Sequence, residues 1–282
     1  MHGGPRLRAH CRIDDGVLAQ LAQAAAFAPL HTPVSLAVVH AARALFPGLP
    51  GVACFDTAFH ARMPELAACL PLPAALREAG IRRYGFHGLS CESIVRQLGD
   101  RLPRRLLIAH LGNGASVTAV LDGVSIDTSM GLTPSGGLVM GTRSGDLDPG
   151  VLVHLVRERG YGAAELEELV DRRSGLAGLS GRGGDLRTLH AAADSDPAAR
   201  LAIDVFCYRA AKELAGMAVA LGGADLLVFT GGIGENDAAV RAGICGRLAC
   251  IGVQAAGDAG CRVSVLPSQE DEQIARHAWA LR

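Results

Sequence analysis

Lysine is almost absent from this chain. Lys212 is the only one among 282 residues, although lysine and arginine together number 27. A Walker-type phosphate loop, G-x-x-x-x-G-K-[ST], requires a lysine directly after its last glycine, so this chain cannot form one. Any phosphate chemistry must therefore use arginine, histidine, backbone amides and metal.

The chain also lacks an excess of charge of one sign, long apolar runs and C-x-x-C pairs of cysteines. The net charge of -1 and the pI of about 6.8 exclude nucleic acid or an acidic membrane as the main partner, because either needs a basic face. No apolar run approaches the roughly 18 residues that span a bilayer, and residues 1–12 hold no signal core, which predicts a cytoplasmic protein. The 8 cysteines include no C-x-x-C pair, which favours buried thiols over a metal site or disulfides.

What is present indicates an α/β protein. The hydrophobic content of 49% in 282 residues can fill one large or two ordinary cores. Strand-like runs at 51–55, 106–108, 116–120, 223–230 and 261–266 alternate with helical patterns, the longest at 194–220. We expect two lobes.

A glycine-punctuated turn joins two of these runs. Residues 106–108 and 116–120 flank the turn at 110–114, a pattern that predicts a β-hairpin. Backbone N–H groups of such a turn can approach phosphate closely. Arg143 lies between Gly141 and Gly145, where its planar fork could face phosphoryl oxygens. The alternative is an ordinary hairpin with a surface arginine.

Two further polar residues occupy positions typical of ligand sites. Asp56 ends the short strand 51–55, and open α/β sheets bind ligands at such carboxyl ends. His87 precedes a predicted helix at 91–98, near an N-terminus that attracts anions. The competing interpretations are a capping carboxylate for Asp56 and a structural histidine bonded to backbone for His87.

Glycine is also concentrated in two segments of the C-terminal half. Residues 174–185 predict a glycine-rich loop. The strand 223–230 runs into the glycine turn 231–236 and then a helix from 237, an arrangement that nucleotides use. A dinucleotide fold would additionally need a full βαβ unit and a downstream ribose-binding acid.

Taken together, these elements resemble the acetate kinase family, in the family's order and over nearly the whole chain. The matching segments are 28–31 (APLH), 55–60 (FDTAFH), 80–88 (GIRRYGFHG), 109–116 (AHLGNGAS), 127–134 (DTSMGLTP), 140–146 (MGTRSGD), 174–176 (SGL) and 228–236 (VFTGGIGEN).

The resemblance implies two ribonuclease H-like lobes of the actin-like ATPase architecture, with ATP in the cleft. Residues 1–59 would be an incomplete N-terminal lobe, completed by a terminal helix at 271–282, and 60–270 the nucleotide-binding lobe. The implied reaction is transfer of phosphate from ATP to acetate, giving acetyl phosphate and ADP, with Mg²⁺ and usually in a homodimer. The alternatives are a propionate or butyrate kinase and a non-catalytic nucleotide-binding remnant.

Residue roles follow from the same resemblance. Arg143 would stabilise the transferring phosphoryl group, His87 would donate a hydrogen bond to it, and Asp56 would orient the reacting groups and metal. His31 would support the phosphoryl site, Leu30 and Pro134 would line the acyl pocket, and Glu270 would bind Mg²⁺. The implied nucleotide-binding residues are His110, Gly112, Asn113, Gly114, Asp185, Leu186, Arg187, Gly232, Ile233, Gly234 and Asn236.

The beginning of the chain departs from the family pattern. Met1 to Gly4 align inside the family's R-V-V-H-G-G segment, so we expect that a phosphate loop and a carboxylate-facing arginine are missing. A mis-called start or a disrupted gene are the two hypotheses, and weak or no activity is expected. The family's T-N-E-E also becomes Ser268 to Asp271, which alters the surroundings of Glu270.

Overall fold

The computed structural model describes residues 1–25, 32–253 and 260–282. Its strands are β1 (Cys11–Arg12), β2 (Val52–Ala53), β3 (Arg105–Leu111), β4 (Ala115–Leu121), β5 (Val124–Thr128), β6 (Leu226–Thr230) and β7 (Arg262–Val265). Its helices are α1 (Asp15–Ala24), α2 (Thr32–Leu45), α3 (Glu65–Ala68), α4 (Ala74–Glu78), α5 (Gly88–Leu98), α6 (Pro149–Arg159), α7 (Ala163–Arg172), α8 (Gly175–Ser180), α9 (Leu186–Ala192), α10 (Pro197–Leu221), α11 (Gly231–Asn236), α12 (Ala238–Leu248) and α13 (Glu270–Ala280).

A five-stranded mixed sheet in the order β5-β4-β3-β6-β7 forms the centre of the structure. The strands β3, β4 and β5 make an antiparallel meander, and β6 and β7 run parallel to β3. This is the strand arrangement of a ribonuclease H-like lobe. The predicted hairpin at 106–120 is confirmed as β3 and β4, whose register pairs Leu111 with Ala115.

Side chains along a strand point alternately to the two faces of the sheet, and both faces of this sheet are buried. Leu107, Ala109 and Leu111 belong to the larger core, which α10 covers. Leu106 and Ile108 belong to a second core on the other face, packed against α5. Successive apolar residues of β3 therefore pack into two different cores, which is why the sequence of this strand is apolar without interruption.

The helix α10 shows how local signals set its limits. Asp196 caps its N-terminus by accepting from Ala198 and Ala199 N–H groups, and Pro197 occupies the first turn, where a missing N–H costs nothing. Gly222 ends it in the left-handed conformation. The predicted helix at 194–220 is thus confirmed with shifted ends.

The two strands that pair in the N-terminal part of the chain are much shorter. The strands β1 and β2 pair over two residues each, Cys11 with Ala53 and Arg12 with Val52. Leu7, Leu21, Ala53 and Phe55 form a small core there. The main-chain carbonyl of Asp56 accepts from the Gly88 N–H at 2.9 Å, which connects this part to the start of α5.

Two sequence predictions are wrong in detail. Residues 174–185 are not one loop, since α8 lies within them, with Leu176 fully buried in the larger core. The expected turn at 231–236 is the helix α11, where the Glu235 carboxylate accepts from the Gly231 N–H at 2.9 Å. In both places packing and local hydrogen bonds outweigh the low helix propensity of glycine.

Among the described residues, no helix is long and apolar enough to cross a membrane.

Candidate active site

Glycine at position 114 leaves a small space between two cationic or hydrogen-bonding groups. A Cβ atom built on Gly114 would lie 3.2 Å from His87 Nε2 and 3.3 Å from Arg143 Nη1. The hairpin turn thus brings together a histidine 27 residues before it and an arginine 29 residues after it. A small group placed in this space could accept from both side chains.

His87 is held by the backbone and by its neighbours. It is the N-cap of α5 in the left-handed conformation, with φ 58°. Its Nδ1 lies 2.9 Å from the buried Ser116 hydroxyl of β4, and its ring stacks on that of His110 at a centroid distance of 4.1 Å. Left-handed backbone at a residue other than glycine is uncommon and clusters at functional sites. The His87 ring therefore has a defined orientation toward the hairpin turn.

His110 stands near the end of β3, between the hairpin turn and the start of α11. Its Nδ1 lies 2.8 Å from the Ser90 hydroxyl, which accepts a hydrogen bond from the Ser268 hydroxyl at 3.1 Å. Its Nε2 would lie 3.2 Å from a Cβ at Gly231, a position with φ +78°. Burial, and secondly the proximity of His87, hold the pKa of His110 well below its ordinary value. The imidazole is therefore neutral at neutral pH.

Arg143 is partly buried under the same turn. Its Nη1 donates to the Pro134 carbonyl at 3.4 Å, and the side chain of Pro134 is buried. Burial lowers the pKa of Arg143, while nearby Asp171 acts to raise it. An arginine remains charged after such a shift, because its ordinary pKa exceeds 12. The site therefore keeps one fixed positive charge.

Two carboxylates, Asp56 and Glu270, lie near His110 and near each other. Burial raises the pKa of Glu270, and the charges of Asp56 and Asp271 raise it further. Asp56 Oδ2 lies 3.5 Å from the amino group of Met1. Carboxylate oxygens of this kind are ligands that Mg²⁺ prefers.

Two adjoining cavities receive most of the predicted nucleotide residues. A cavity of about 860 Å³ is lined by Gly112, Asn113, Asp185, Leu186, Arg187, Gly232, Ile233 and Asn236. A second, of about 420 Å³, is lined by His110, Glu270 and again Gly232, among others. The glycine at 232 thus borders both.

The remaining predicted residues are placed less directly. Gly234 is buried in α11 and faces β3 and β6, since a Cβ there would contact Ala109 and Phe229 backbone atoms. Leu30 and His31 lie outside the described residues. Arg187 is exposed and pairs with Asp185 at 2.8 Å, at the rim of the larger cavity.

Sequence reasoning missed other residues that line the larger cavity, namely Thr142, Gly184, His190, Asp237 and Ala238. Thr142, Gly184 and Asp237 each stand next to a predicted residue in the sequence, and this adjacency could have identified them. His190 follows Arg187 by three positions and shares its helix face, but α9 was not predicted.

Comparison with known proteins shows which family the chain belongs to. A model described as "Acetokinase family" matches residues 1–270. The chain belongs to the acetokinase family. An acetate kinase from Rhodopseudomonas palustris is 45% identical, with 100% of this chain and 75% of the relative covered. An acetate kinase from Gloeobacter violaceus is 46% identical, with 99% and 74% covered.

Solved structures of the acetokinase family agree with the fold. A propionate kinase from Francisella tularensis superposes with a TM-score of 0.95 at 38% identity, covering 100% of this chain and 78% of that one. An acetate kinase from Porphyromonas gingivalis gives 0.91 at 37% identity, covering 99% and 76%. The resemblance and the mixed α/β architecture predicted from the sequence are therefore confirmed.

Proposed function

We propose that the chain transfers the γ-phosphoryl group of ATP to acetate, forming acetyl phosphate and ADP. A carboxylate oxygen of acetate attacks the γ-phosphorus while the bond from that phosphorus to the ADP oxygen breaks. Such a reaction requires positioning and neutralisation of charge more than covalent catalysis. The observation that carries the proposal is the convergence of His87 Nε2 and Arg143 Nη1 on the space beside Gly114.

Each catalytic residue has a role that its contacts support. Arg143 neutralises charge on the equatorial phosphoryl oxygens, because it is a partly buried, permanent cation. When the Ser116 hydroxyl donates to His87 Nδ1, the proton of the neutral ring lies on Nε2, which then donates to the same oxygens. Asp56 would orient the reacting groups, a role that the family resemblance implies.

The larger cavity would hold the nucleotide, with its phosphates at the hairpin turn near Gly112 and at the start of α11 near Gly232. Asp56 and Glu270 would hold Mg²⁺, which when bound to ATP neutralises phosphate charge. His31, Leu30 and Pro134 remain the proposed surroundings of the phosphoryl group and acyl chain. The division into residues 1–59 and 60–270, a homodimer and a cytoplasmic location belong to this proposal as predictions from the family resemblance.

Turnover of the purified chain tests the proposal. We expect hydroxylamine to trap acetyl phosphate as the hydroxamate at a low rate when ATP, Mg²⁺ and acetate are all present, and the signal to be lost in Arg143→Ala. Arg159→Ala, an exposed arginine of α6, is the matched control. Turnover unchanged in Arg143→Ala would contradict the assigned role. No turnover with ADP binding retained would favour the non-catalytic nucleotide-binding alternative.

A propionate kinase is the second candidate, because the solved propionate kinase from Francisella tularensis superposes with a TM-score of 0.95. The same assay with acetate, propionate and butyrate decides between them. The larger kcat/KM identifies the acceptor, since each added methylene changes binding by about 1 to 3 kcal/mol in an apolar pocket.

A further inference from the structure

We propose that His190, oriented by Asp237, contacts the base of the bound nucleotide and selects a 6-amino purine over a 6-oxo purine. The inference rests on the nucleotide site of the proposed function and adds a specificity-determining residue to it. His190 lies on α9 and Asp237 separates α11 from α12. Both line the larger cavity.

Their position along the cavity suits a base rather than a phosphate. Gly112 and Gly232 lie close together, since a Cβ on Gly112 would be 3.9 Å from the Gly232 nitrogen. Asp237 follows Gly232 by five residues through α11, which corresponds to about 7.5 Å at 1.5 Å per residue. With phosphates at Gly112 and Gly232, the nucleoside would extend toward His190. Leu186 and Ile233 add apolar wall to the same cavity.

The contacts of Asp237 decide which proton His190 carries. Asp237 Oδ1 accepts from the Val240 N–H at 2.9 Å as the N-cap of α12. Its Oδ2 lies 2.9 Å from His190 Nε2. An ionised carboxylate can only accept, so Nε2 donates to Asp237 Oδ2, and in the neutral form of the ring Nδ1 carries no proton and is an acceptor.

An acceptor discriminates between purines. Adenine carries an amino donor at C6 and guanine a carbonyl acceptor, so His190 Nδ1 matches the first and opposes the second. Within the described residues, the contact with Asp237 is the one hydrogen bond that the His190 side chain makes, and Nδ1 remains for the base. The side chains of His190 and Asp237 are 33% and 18% exposed, which is consistent with a cavity wall.

Calorimetric titration of ADP and of GDP into the full chain provides the test. We expect the wild type to bind ADP more tightly, and His190→Phe to reduce the ratio of the two affinities by about tenfold, the size of one net hydrogen bond. His154→Phe changes an exposed histidine of α6 and should leave the ratio unchanged. Because the ratio is taken within one variant, a partly unfolded sample affects both titrations alike.

Asp237→Asn distinguishes tautomer control from a simple loss of contact. The asparagine oxygen can still cap α12 at Val240, which turns its amide N–H₂ toward His190 Nε2. Nε2 then accepts, Nδ1 carries the proton, and the affinity ratio should move further toward GDP than in His190→Phe. An ADP-to-GDP ratio equal in the wild type and both variants would overturn the inference alone. A wild type that binds neither nucleotide would overturn the proposed function as well.

Discussion

The sheet region and the N-terminal residues are built very differently. In the sheet region, β3 and β4 pair over seven residues each, and most of their side chains are fully buried. In residues 1–60, β1 and β2 pair over two residues. Leu45 and Phe46 at the end of α2 are 73% and 58% exposed.

This difference shows how the candidate site is supported. His87, Asn113 and Arg143 are positioned by the large sheet and its helices, whereas Asp56 depends on the small N-terminal core and on its backbone bond to Gly88. Local stability follows buried apolar contacts. We therefore expect the nucleotide half of the site to be rigid and the Asp56 half to be the first to open.

A matched pair of phenylalanine truncations should give the largest contrast. Phe229 of β6 is fully buried, so Phe229→Ala should lower the free energy of unfolding by about 3 to 5 kcal/mol through lost burial and a cavity. Phe46→Ala should change it by less than about 0.5 kcal/mol, because that ring is exposed. Urea unfolding followed by circular dichroism measures both. Equal losses would show that the two regions do not differ as described.

Filling the space at the hairpin turn should remove activity and leave the fold intact. The added methyl group of Gly114→Ala would lie 3.2 Å from His87 Nε2 and 3.3 Å from Arg143 Nη1, where the phosphoryl oxygens are expected. We expect kcat in the hydroxamate assay to fall by about 10²-fold, the scale of one lost oxyanion contact.

Gly246→Ala is the control for this substitution, since a Cβ at Gly246 would have nothing within 4 Å. Its activity should equal that of the wild type. A Gly114→Ala variant with full turnover would place the reacting phosphoryl group elsewhere.

Acid should weaken the contact between the two regions. His60 is fully buried, with Nδ1 2.8 Å from the Ser125 hydroxyl of β5 and Nε2 3.0 Å from the Phe86 carbonyl. Burial lowers the pKa of His60 to about 4. The pKa of His60 is lower in the folded state than in the unfolded chain, so protonation of His60 favours the unfolded state. The contribution of His60 to the free energy of unfolding is therefore complete above pH 6.5 and is lost as the pH falls from there.

At pH 5 the loss from His60 amounts to about 2 kcal/mol of unfolding free energy. His2, whose pKa burial lowers to about 4, and His110 should add losses of the same sign. The measurement is the unfolding free energy between pH 7 and pH 5. His60→Asn should show a shallower decline than the wild type, and an equally steep decline would assign the effect to other groups.

The smallest effect is expected at the rim of the nucleotide cavity. Arg187 is exposed and pairs with Asp185 in water, so Arg187→Ala should leave the thermal unfolding midpoint unchanged. The affinity for ADP should fall a few-fold, because a cation near the nucleotide is removed. Arg200→Ala, another exposed arginine paired with aspartate, is the control. A large shift of the midpoint would mean that the rim contributes to folding.

Some features could be predicted from residues alone. The hairpin at 106–120 followed from two apolar runs around a glycine turn, and α10 followed from its helical periodicity. These signals are local, so a sequence carries them in full. The helices α8 and α11 were not predicted, because buried Leu176 and the Glu235 carboxylate outweigh the glycine content there.

By itself the sequence determined the family, the mixed α/β class and the chemistry available, with arginine and histidine in place of lysine. Only the tertiary structure decided that His87 and Arg143 meet beside Gly114, and that His190 and Asp237 stand together in the nucleotide cavity. Residues separated by 56 and by 47 positions come near one another only when the sheet and its helices pack. No local pattern encodes such distances, because they depend on the register and packing of several elements at once.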